Sequence, residues 1–406
     1  MAALSGFGVL ECGAERLNRQ GNSPWPMGKE TGLDRNRLFP VTKEGIFLAH
    51  AAVAPISGPA QDAIANWSEA AVQGRQEGEE VWRRVKKTRE VASLFLGCDW
   101  DEVSLLGPTA LGLGLVALGL DWKEGDEVIY DPLDYPANVY PWRDLAKRGV
   151  RAVPIVRQPG QEIRWSTILP IITKKTKLVT LATAHYLSGC MPELAVIGPE
   201  LKARKILLCL DGIQTLGVVP TDWAEADFLA ADAHKWMLGP VGAGVLMVRR
   251  RVWERMWPPL LGSWNVHSPD FLAQPKIVME EGGRRYEPGS LNLPGIEGMR
   301  ASLELLEGLG RKKTAEYVLG LAGQIREGAQ RAGFTIYGEG ENPRPITSLW
   351  EPKGGWGEAA QRLEKAKIRV SWRKEHGGKM LLRVSPHVSN VADEVDEFLK
   401  VLGRAG

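Results

Sequence analysis

The sequence predicts an α/β protein: a seven-stranded, mostly parallel sheet with helices on both faces, followed by a smaller C-terminal α+β domain. Between residues 57 and 250, short apolar segments alternate with longer segments of helical period, as in strand–helix–strand units. After Pro294 the pattern changes to a long helical stretch and several short strands. The chain has 406 residues, too many for one ordinary core, so we expect a large domain over 57–295 and a small domain over 296–406.

The expected elements follow in order along the chain. The first 45 residues are rich in Gly, Pro and charge and have no clear period, and we expect 1–56 to form an arm that joins the small domain. The predicted strands of the large domain are 103–107, 127–131, 151–156, 178–182, 206–210, 227–230 and 243–248. The predicted helices between the earlier strands are 80–96, 109–119, 138–148 and 193–204. In the small domain we expect helical structure over 296–332, strands at 334–337, 345–350, 367–372 and 380–384, and a closing helix at 391–402.

The composition favours a protein that acts on small molecules. The 51 basic and 49 acidic residues leave a net charge of +2, which gives no field to attract nucleic acid or an anionic membrane. The four cysteines form no Cys-x-x-Cys pair, so we expect no metal site and no disulfide framework, which fits a reducing cytoplasm. An uncharged run over 103–120 reaches the lower length limit of a membrane span. Its four glycines and Pro108 favour a strand, a turn and a buried helix, so we expect a soluble protein.

Lys235 and Asp211 are the first candidates for catalysis. Lys235 lies between an apolar stretch and the glycine-rich segment 239–244, and Asp211, 24 positions upstream, ends another apolar run. Taken alone, a lysine beside an apolar strand end is usually a surface residue, and an Asp-Gly pair is usually a turn. Together they are a lysine that can form a Schiff base and an acid that can pair with a pyridinium nitrogen, the two groups that a pyridoxal 5′-phosphate (PLP) enzyme requires. Because ligands bind at the carboxyl ends of parallel strands, we expect the cofactor beside Asp211.

Two segments carry a resemblance to a known family. His-Lys-Trp followed by Gly-Pro-x-Gly-x-Gly, at 234–244, resembles the lysine segment of class V aminotransferases. These are PLP enzymes of fold type I that include cysteine desulfurases, kynureninase and isopenicillin epimerase-like proteins. The resemblance implies that Lys235 forms the Schiff base and that His234 neighbours the cofactor. The Asp-x-x-Gln pattern is similar to the family's acid signature, which implies that Asp211 keeps the ring nitrogen protonated and that Gln214 reaches the phenolic oxygen.

The resemblance extends to other residues around the cofactor. Thr109 and Ala110 lie in a strand-to-helix turn that matches the family's phosphate-binding turn, although Ala110 stands where a second hydroxyl is common. Tyr135 stands where the family has a histidine that stacks on the pyridine ring. Ser290, in the segment Glu-Pro-Gly-Ser-Leu-Asn, takes the place of a hydroxyl that reaches the phosphate of the other subunit. The resemblance therefore implies PLP as the cofactor and a homodimer with composite active sites.

The substrate contacts are expected near the C-terminus. Arg383 ends an apolar strand in a segment similar to the family's Arg-x-Ser motif, and the resemblance implies that it binds the substrate α-carboxylate. Desulfurases also need a mobile cysteine shortly before this arginine, and 365–382 contains none. In that place, Arg373 and His376 are the candidates for contacting the substrate side chain. His185 falls near a family histidine but two positions out of register, so we assign it no role.

The reaction is open between several outcomes. The residues support removal of the α-proton from an amino acid or related amine by Lys235. We expect a β-eliminating carbon–sulfur lyase, because elimination needs only a leaving group, the lysine and the electron sink. An aminotransferase or an epimerase of the same fold is the alternative, and a non-catalytic PLP-binding protein is the alternative of another class. We expect a role in amino acid metabolism, with no metal, nucleic acid or membrane as a partner.

Overall fold

The computed structural model describes residues 34–220, 223–338, 340, 342–351 and 355–403. Most of the arm predicted over 1–56 therefore lies outside the described residues. Its described part contains helix α1 (Arg35–Leu38) and strand β1 (Ile46–Phe47). The Nε atom of Arg35 donates to the backbone oxygen of Ser389 at 2.7 Å, so this part of the chain contacts the C-terminal region.

A seven-stranded sheet forms the centre of the molecule. Its strands are β2 (Val103–Leu106), β3 (Glu127–Tyr130), β4 (Arg151–Pro154), β5 (Thr176–Ala182), β6 (Leu207–Asp211), β7 (Phe228–Asp232) and β8 (Gly244–Val248). Their order is β2-β8-β7-β6-β5-β3-β4, with β8 antiparallel to both of its neighbours and the other pairs parallel. Each strand ends within two residues of its predicted bounds, and the predicted fold class is confirmed.

Two apolar cores lie on opposite faces of this sheet. Alternate residues of β7 point to opposite sides, so Leu229 and Ala231 pack in one core while Phe228 and Ala230 pack in the other. Every residue of β6, β7 and β8 is buried, which explains the continuous apolar runs in the sequence. The helices associated with this part of the chain are α2 (Gly58–Val72), α3 (Glu79–Leu96), α4 (Thr109–Gly119), α5 (Tyr140–Asp144), α6 (Trp165–Ile168), α7 (Leu194–Ala203) and α8 (Leu293–Leu309).

A smaller antiparallel sheet follows, in the order β12-β13-β10-β9. Its strands are β9 (Thr335–Tyr337), β10 (Thr347–Trp350), β12 (Ser371–Lys374) and β13 (Met380–Val384), and the short β11 (Ile368–Arg369) pairs in parallel with β1. Its helices are α9 (Arg311–Arg331), α10 (Trp356–Lys365) and α11 (Ala392–Leu402). Leu48, from the described part of the arm, packs in the same core as Leu382 and Phe398. The boundaries of the two domains stay predictions.

Several predicted elements differ from the structure. The helix predicted over 138–148 is divided into α5 and two flanking 3₁₀ segments, because Pro141 fits only the first turn of a helix. The helical stretch predicted over 296–332 is broken at Gly310, which has φ +88°. The strand predicted over 367–372 is divided into β11 and β12, and α10 was not predicted.

The uncharged run 103–120 contains strand β2, a turn and the 11-residue helix α4, as its glycines and proline predicted. In the part of the chain that the structure describes, no helix has the length and apolar character needed to cross a membrane.

Candidate active site

The candidate site lies at the carboxyl edge of the seven-stranded sheet. Because β2, β3, β5, β6 and β7 run in the same direction, the loops that follow them meet at one edge. Asp211 is the last residue of β6, and Lys235 follows the end of β7 by three residues. Thr109 begins α4 shortly after β2. The fold therefore brings together residues that are far apart in the sequence.

Lys235 and Asp211 are both buried, and each affects the charge of the other. Burial lowers the pKa of Lys235 to about 8; the Asp211 carboxylate opposes this shift and the Arg383 guanidinium adds to it. Burial raises the pKa of Asp211 to about 6, against the N–H of Ile213, which donates to Asp211 Oδ1 at 3.0 Å, and the charge of Lys235. Near pH 7 the carboxyl of Asp211 is therefore mostly ionised, and Lys235 is a neutral amine more often than an ordinary lysine is.

Hydrogen bonds fix the side-chain amide of Gln214. Trp236 Nε1 donates to Gln214 Oε1 at 3.0 Å, and Gln214 Nε2 donates to the backbone oxygen of Ala51 at 3.3 Å. Trp236 is fully buried and stacks on His387, with ring centroids 5.7 Å apart. These contacts hold Gln214 in place and also fix the segment that carries Lys235.

The ring of Tyr135 faces Lys235. Its centroid lies 5.6 Å from Lys235 Nζ, and 50% of the residue is exposed. The loop is fixed by Asp134, whose carboxylate accepts from Tyr135 N at 2.7 Å and from Asn138 Nδ2 at 2.9 Å. Burial and neighbouring carboxylates raise the pKa of Asp134 to about 8. The structure thus places an aromatic face beside the amine, where a residue that stacks on a pyridine ring is expected.

The N-terminus of α4 is a candidate anion site. The N-cap residue Pro108 has no side chain that can cap this helix, and Ala110 is exposed in its first turn. Thr109 N donates to Asp232 Oδ1, and Asp232 N donates to Thr109 Oγ1, both at 2.9 Å. His234 Nδ1 is buried and lies 3.3 Å from Asp232 Oδ2, but it forms no hydrogen bond within the described part of the chain. Asp232 was not predicted as a site residue, although, like Asp211, it ends an apolar run.

The segment that carries Ser290 is anchored by a buried glutamate. Glu287 accepts from Arg89 Nη2 at 2.6 Å and from Leu105 N at 2.6 Å. The ion pair with Arg89 ties the segment to α3, and the hydrogen bond from Leu105 N ties it to β2. Ser290 itself is exposed, and its contact with a second subunit stays a prediction.

Arg383 is a buried cation on β13. Its Nη1 donates to the backbone oxygen of Tyr186 at 2.7 Å, while its Nε is buried without a hydrogen-bond partner among the residues that the structure describes. Burial lowers the pKa of Arg383 to about 9, and the charge of Arg373 adds to this shift. A buried guanidinium with an unused donor suits the binding of an anion.

Arg373 and His376 lie at the same end of the site. Arg373 is half-buried on β12, close enough to lower the pKa of Arg383. His376 is exposed in the following turn, with Nε2 3.3 Å from the backbone oxygen of Leu133, and His185 Nε2 lies 2.9 Å from the same oxygen. Burial lowers the pKa of His185 to about 4, so its ring is neutral at pH 7. His185, which the ungapped register left without a role, therefore belongs to this region, and a two-residue shift in the loop after β5 would have found it.

Comparisons with known proteins agree with this geometry. Residues 46–398 match the family described as Aminotransferase class-V. The chain belongs to this family. It is 26% identical over 339 residues to a probable cysteine desulfurase of Pyrococcus abyssi, a match that covers 79% of this chain and 82% of the relative. It is also 22% identical over 368 residues to the uncharacterized aminotransferase YcbU of Bacillus subtilis, with 88% and 94% covered.

Solved structures share the fold. The apo structure of a cysteine desulfurase from Thermococcus onnurineus NA1 matches with a TM-score of 0.82 at 24% identity, and the match covers 91% of this chain and 96% of that chain. A C-DES mutant with glycine linked covalently to its PLP cofactor matches with a TM-score of 0.81 at 20% identity, with 91% and 99% covered. The predictions of the family, of a PLP-dependent enzyme and of PLP as the cofactor are confirmed.

The side chains of the site fit PLP. The amine of Lys235 and the carboxylate of Asp211 are buried at one edge of the sheet, as a Schiff base and a ring-nitrogen contact require. The first turn of α4, where Ala110 is exposed, and the neighbouring imidazole of His234 suit a phosphate. The unused Nε of Arg383 suits a substrate carboxylate. The role of each residue stays a prediction.

Proposed function

We propose that this chain is a PLP-dependent carbon–sulfur lyase, which eliminates a sulfur substituent from the β-carbon of an amino acid. One observation carries the proposal: Lys235 and Asp211 lie buried together beside a hairpin that holds no thiol. This active-site hairpin consists of β12, the turn 375–379 and β13, and residues 371–384 contain no cysteine. The curated relatives named as probable cysteine desulfurases support chemistry at a carbon–sulfur bond. Without a hairpin thiol to receive the sulfur, it leaves with its substituent.

The residues divide the work of elimination. When bound, PLP draws electrons away from the α-carbon of the substrate. Asp211 keeps the ring nitrogen protonated, because its carboxylate is mostly ionised near pH 7. Lys235 Nζ removes the α-proton, a task that suits an amine whose pKa is about 8. Arg383 binds the α-carboxylate and so orients the amino acid, and the ring of Tyr135 covers one side of the site.

The remaining residues hold the cofactor. Thr109, Ala110 and His234 bind its phosphate, through the N-terminus of α4 and the imidazole beside it. Gln214 contacts the ring from a position that Trp236 fixes. Ser290 of a second copy completes the phosphate site.

Product analysis tests the proposed reaction. Purified protein loaded with PLP is incubated with S-substituted cysteines, and pyruvate and free thiol are measured. We expect both products in equal amounts, and their loss in Lys235→Ala. The matched control is Lys365→Ala, which removes an exposed lysine on α10 and keeps the activity. Absence of pyruvate and thiol with every S-substituted cysteine would refute the lyase.

Transamination is the second candidate, favoured by the family description and by the relative named as an uncharacterized aminotransferase. It predicts that an amino acid converts the bound cofactor to its pyridoxamine form, and that a keto acid restores the original absorption spectrum. Lyase activity leaves the spectrum unchanged after turnover. If no amino acid changes the spectrum at all, a protein that binds PLP without catalysis is the remaining reading.

We also propose that the enzyme is a cytoplasmic homodimer whose large and small domains meet near residues 295–296. Exposed apolar residues support the dimer: Trp257 is 57% exposed, Phe271 80% and Leu272 66%, in the segment that precedes Ser290. Light scattering measures the mass of the protein as it elutes from a size-exclusion column. We expect twice the chain mass for the wild type and a lower mass for Phe271→Asp combined with Leu272→Asp, whereas a monomeric wild type contradicts the dimer.

A further inference from the structure

The two faces of the active-site hairpin have different environments. Arg383 lies directly opposite Ser371, and Arg373 is two residues further along the same strand. Side chains two apart on a strand share a face, so both arginines lie on one face of the hairpin. Trp372 and Leu382 lie on the other face, where they pack in the core of the smaller sheet. The arginine face therefore lies against the rest of the protein, where Arg383 contacts Tyr186 O.

In the part of the chain that the structure describes, neither arginine has an acidic partner. Within the described residues, Arg373 and Arg383 form no ion pair with any carboxylate. The guanidinium of Arg373 donates to the backbone oxygen of its own neighbour, Trp372, at 2.9 Å. The acid on the hairpin, Glu375, is buried and accepts from Gly377 N at 2.8 Å, so its carboxylate stabilises the turn.

Acids on the facing loop are also occupied. Asp131 pairs with Arg157 at 2.5 Å, and both side chains are almost completely buried. Asp134 accepts from Tyr135 N and Asn138 Nδ2. Hence neither of these carboxylates neutralises the two hairpin arginines.

Two imidazole contacts close this end of the site. The imidazoles of His376 and His185 both reach the backbone oxygen of Leu133, at 3.3 Å and 2.9 Å, so the hairpin turn is joined to the loop after β3. This wall supplies imidazole and backbone groups but no acid. The arginine face is thus the cationic surface that a bound side chain meets.

Two like charges held together in a partly buried site are unfavourable unless anions accompany them. Arg383 receives one anion, the substrate α-carboxylate, under the proposed function. Arg373 then remains as a cation without an acidic partner among the described residues. Diagonal neighbours on paired strands lie about 7 Å apart, which is within the length of a short amino acid side chain.

We infer that the substrate carries a second acidic group, placed at the end of its sulfur substituent, which binds Arg373 while its α-carboxylate binds Arg383. The substrate class is an S-substituted cysteine whose leaving thiol ends in a carboxylate or a similarly acidic group. This inference rests on the proposed lyase function. In the reaction the Cα–H and Cβ–S bonds break, the acidic thiol leaves with a proton, and water converts the released 2-aminoacrylate to pyruvate and ammonium.

A matched pair of substrates tests the inference. S-(2-carboxyethyl)cysteine and its distal amide, S-(2-carbamoylethyl)cysteine, have the same size and differ in one charge. We expect kcat/KM for pyruvate release to favour the acid by about 10- to 100-fold, the range for a hydrogen bond to a charged group. Arg373→Gln brings this ratio close to one, and Arg373→Lys keeps part of it. Lys374→Gln, which removes an exposed charge from the next position, keeps the wild-type ratio.

A binding measurement separates this inference from the lyase assignment. 2-Aminopimelate and its distal amide match the two substrates in length but have no sulfur to eliminate, and their affinities are read from the absorption of bound PLP. Tighter binding of the acid that is lost in Arg373→Gln supports the second anion site even if no pyruvate is ever formed. Equal affinities of acid and amide in the wild type overturn the inference, including the case in which both cysteine derivatives yield pyruvate.

Discussion

The pH dependence with which Lys235 reacts is a direct test of the candidate site. Burial lowers its pKa from 10.5 to about 8. At pH 7 roughly one Lys235 in ten is then a neutral amine, compared with roughly one in 3000 for an ordinary lysine. Because only the neutral amine attacks an aldehyde, we expect Lys235 to react with PLP roughly 300-fold faster at pH 7 than an exposed lysine does.

The rate can be measured residue by residue. Apoprotein is mixed with PLP between pH 6 and pH 10, the product is trapped with borohydride after short times, and labelled peptides are counted by mass spectrometry. Labelling of Lys235 is expected to rise through a midpoint near pH 8. The exposed Lys365 of the same chain is the internal control for labelling of a lysine at the surface. A midpoint at or above 10 for Lys235 refutes the reasoning.

Two substitutions test the cause of the shift. Arg383→Gln removes a cation that lowers the pKa of Lys235, so the midpoint moves to higher pH. Asp211→Asn removes an anion that raises this pKa, so the midpoint moves to lower pH. We expect each shift to be smaller than the lowering that burial causes, since burial is the largest cause and is unchanged. Shifts of both variants in the same direction would show that loosened packing, and not charge, controls Lys235.

Three further outcomes concern stability and cofactor retention. Glu287→Ala is expected to lower the free energy of unfolding, measured by urea titration, by about 3–5 kcal/mol, because it leaves the buried guanidinium of Arg89 without its partner. Glu327→Ala, at an exposed ion pair, is expected to change it by less than about 1 kcal/mol. Equal effects of the two substitutions contradict this prediction. Gly217→Ala is expected to lower the amount of PLP retained per chain, measured by absorption, because Gly217 has φ +107° and a Cβ there would lie 2.6 Å from the backbone oxygen of Trp236, next to Lys235. The control Gly74→Ala, at φ +75° with open space around it, is expected to retain PLP. The pKa of the Asp134 carboxyl is raised to about 8 in the folded protein, compared with about 3.9 in the unfolded chain. Its contribution to stability is therefore full below about pH 3.9 and is lost as the pH rises through about 8. Asp134→Ala is expected to destabilise the protein less at pH 9 than at pH 5. A larger loss at pH 9 has the wrong sign.

The central strands of the sheet were predictable because they are buried on both faces. Continuous apolar runs end at Asp211 and shortly before Lys235, and the structure places those ends at the same edge. Helix α10 was missed although Trp356, Ala359 and Leu363 recur at helical spacing along it, so a periodic signal for this helix was present in the sequence. The break at Gly310 was missed because a helical period can continue in phase across a single residue.

Contacts between distant segments were not predictable from the sequence. Asp232 acts through Thr109, which is 123 positions away, and nothing near either residue indicates the other. His185 and His376 meet at Leu133 O only because three loops converge at one edge of the sheet. Local sequence patterns identified the site residues that belong to a family motif. Residues that act through a distant partner could be identified only from the fold.

Charge links the proposed specificity to the proposed base. The guanidiniums of Arg383 and Arg373 both lower the pKa of Lys235, after burial and against the carboxylates of Asp211 and Asp232. An anion that binds each arginine offsets its charge, so the amine becomes more basic when both sites are filled than when one is filled. A more basic amine removes an α-proton more readily. The preference for a substrate with two acidic groups is therefore expected in kcat as well as in binding. A preference found only in KM would show that Arg373 binds the substrate without affecting the proton transfer.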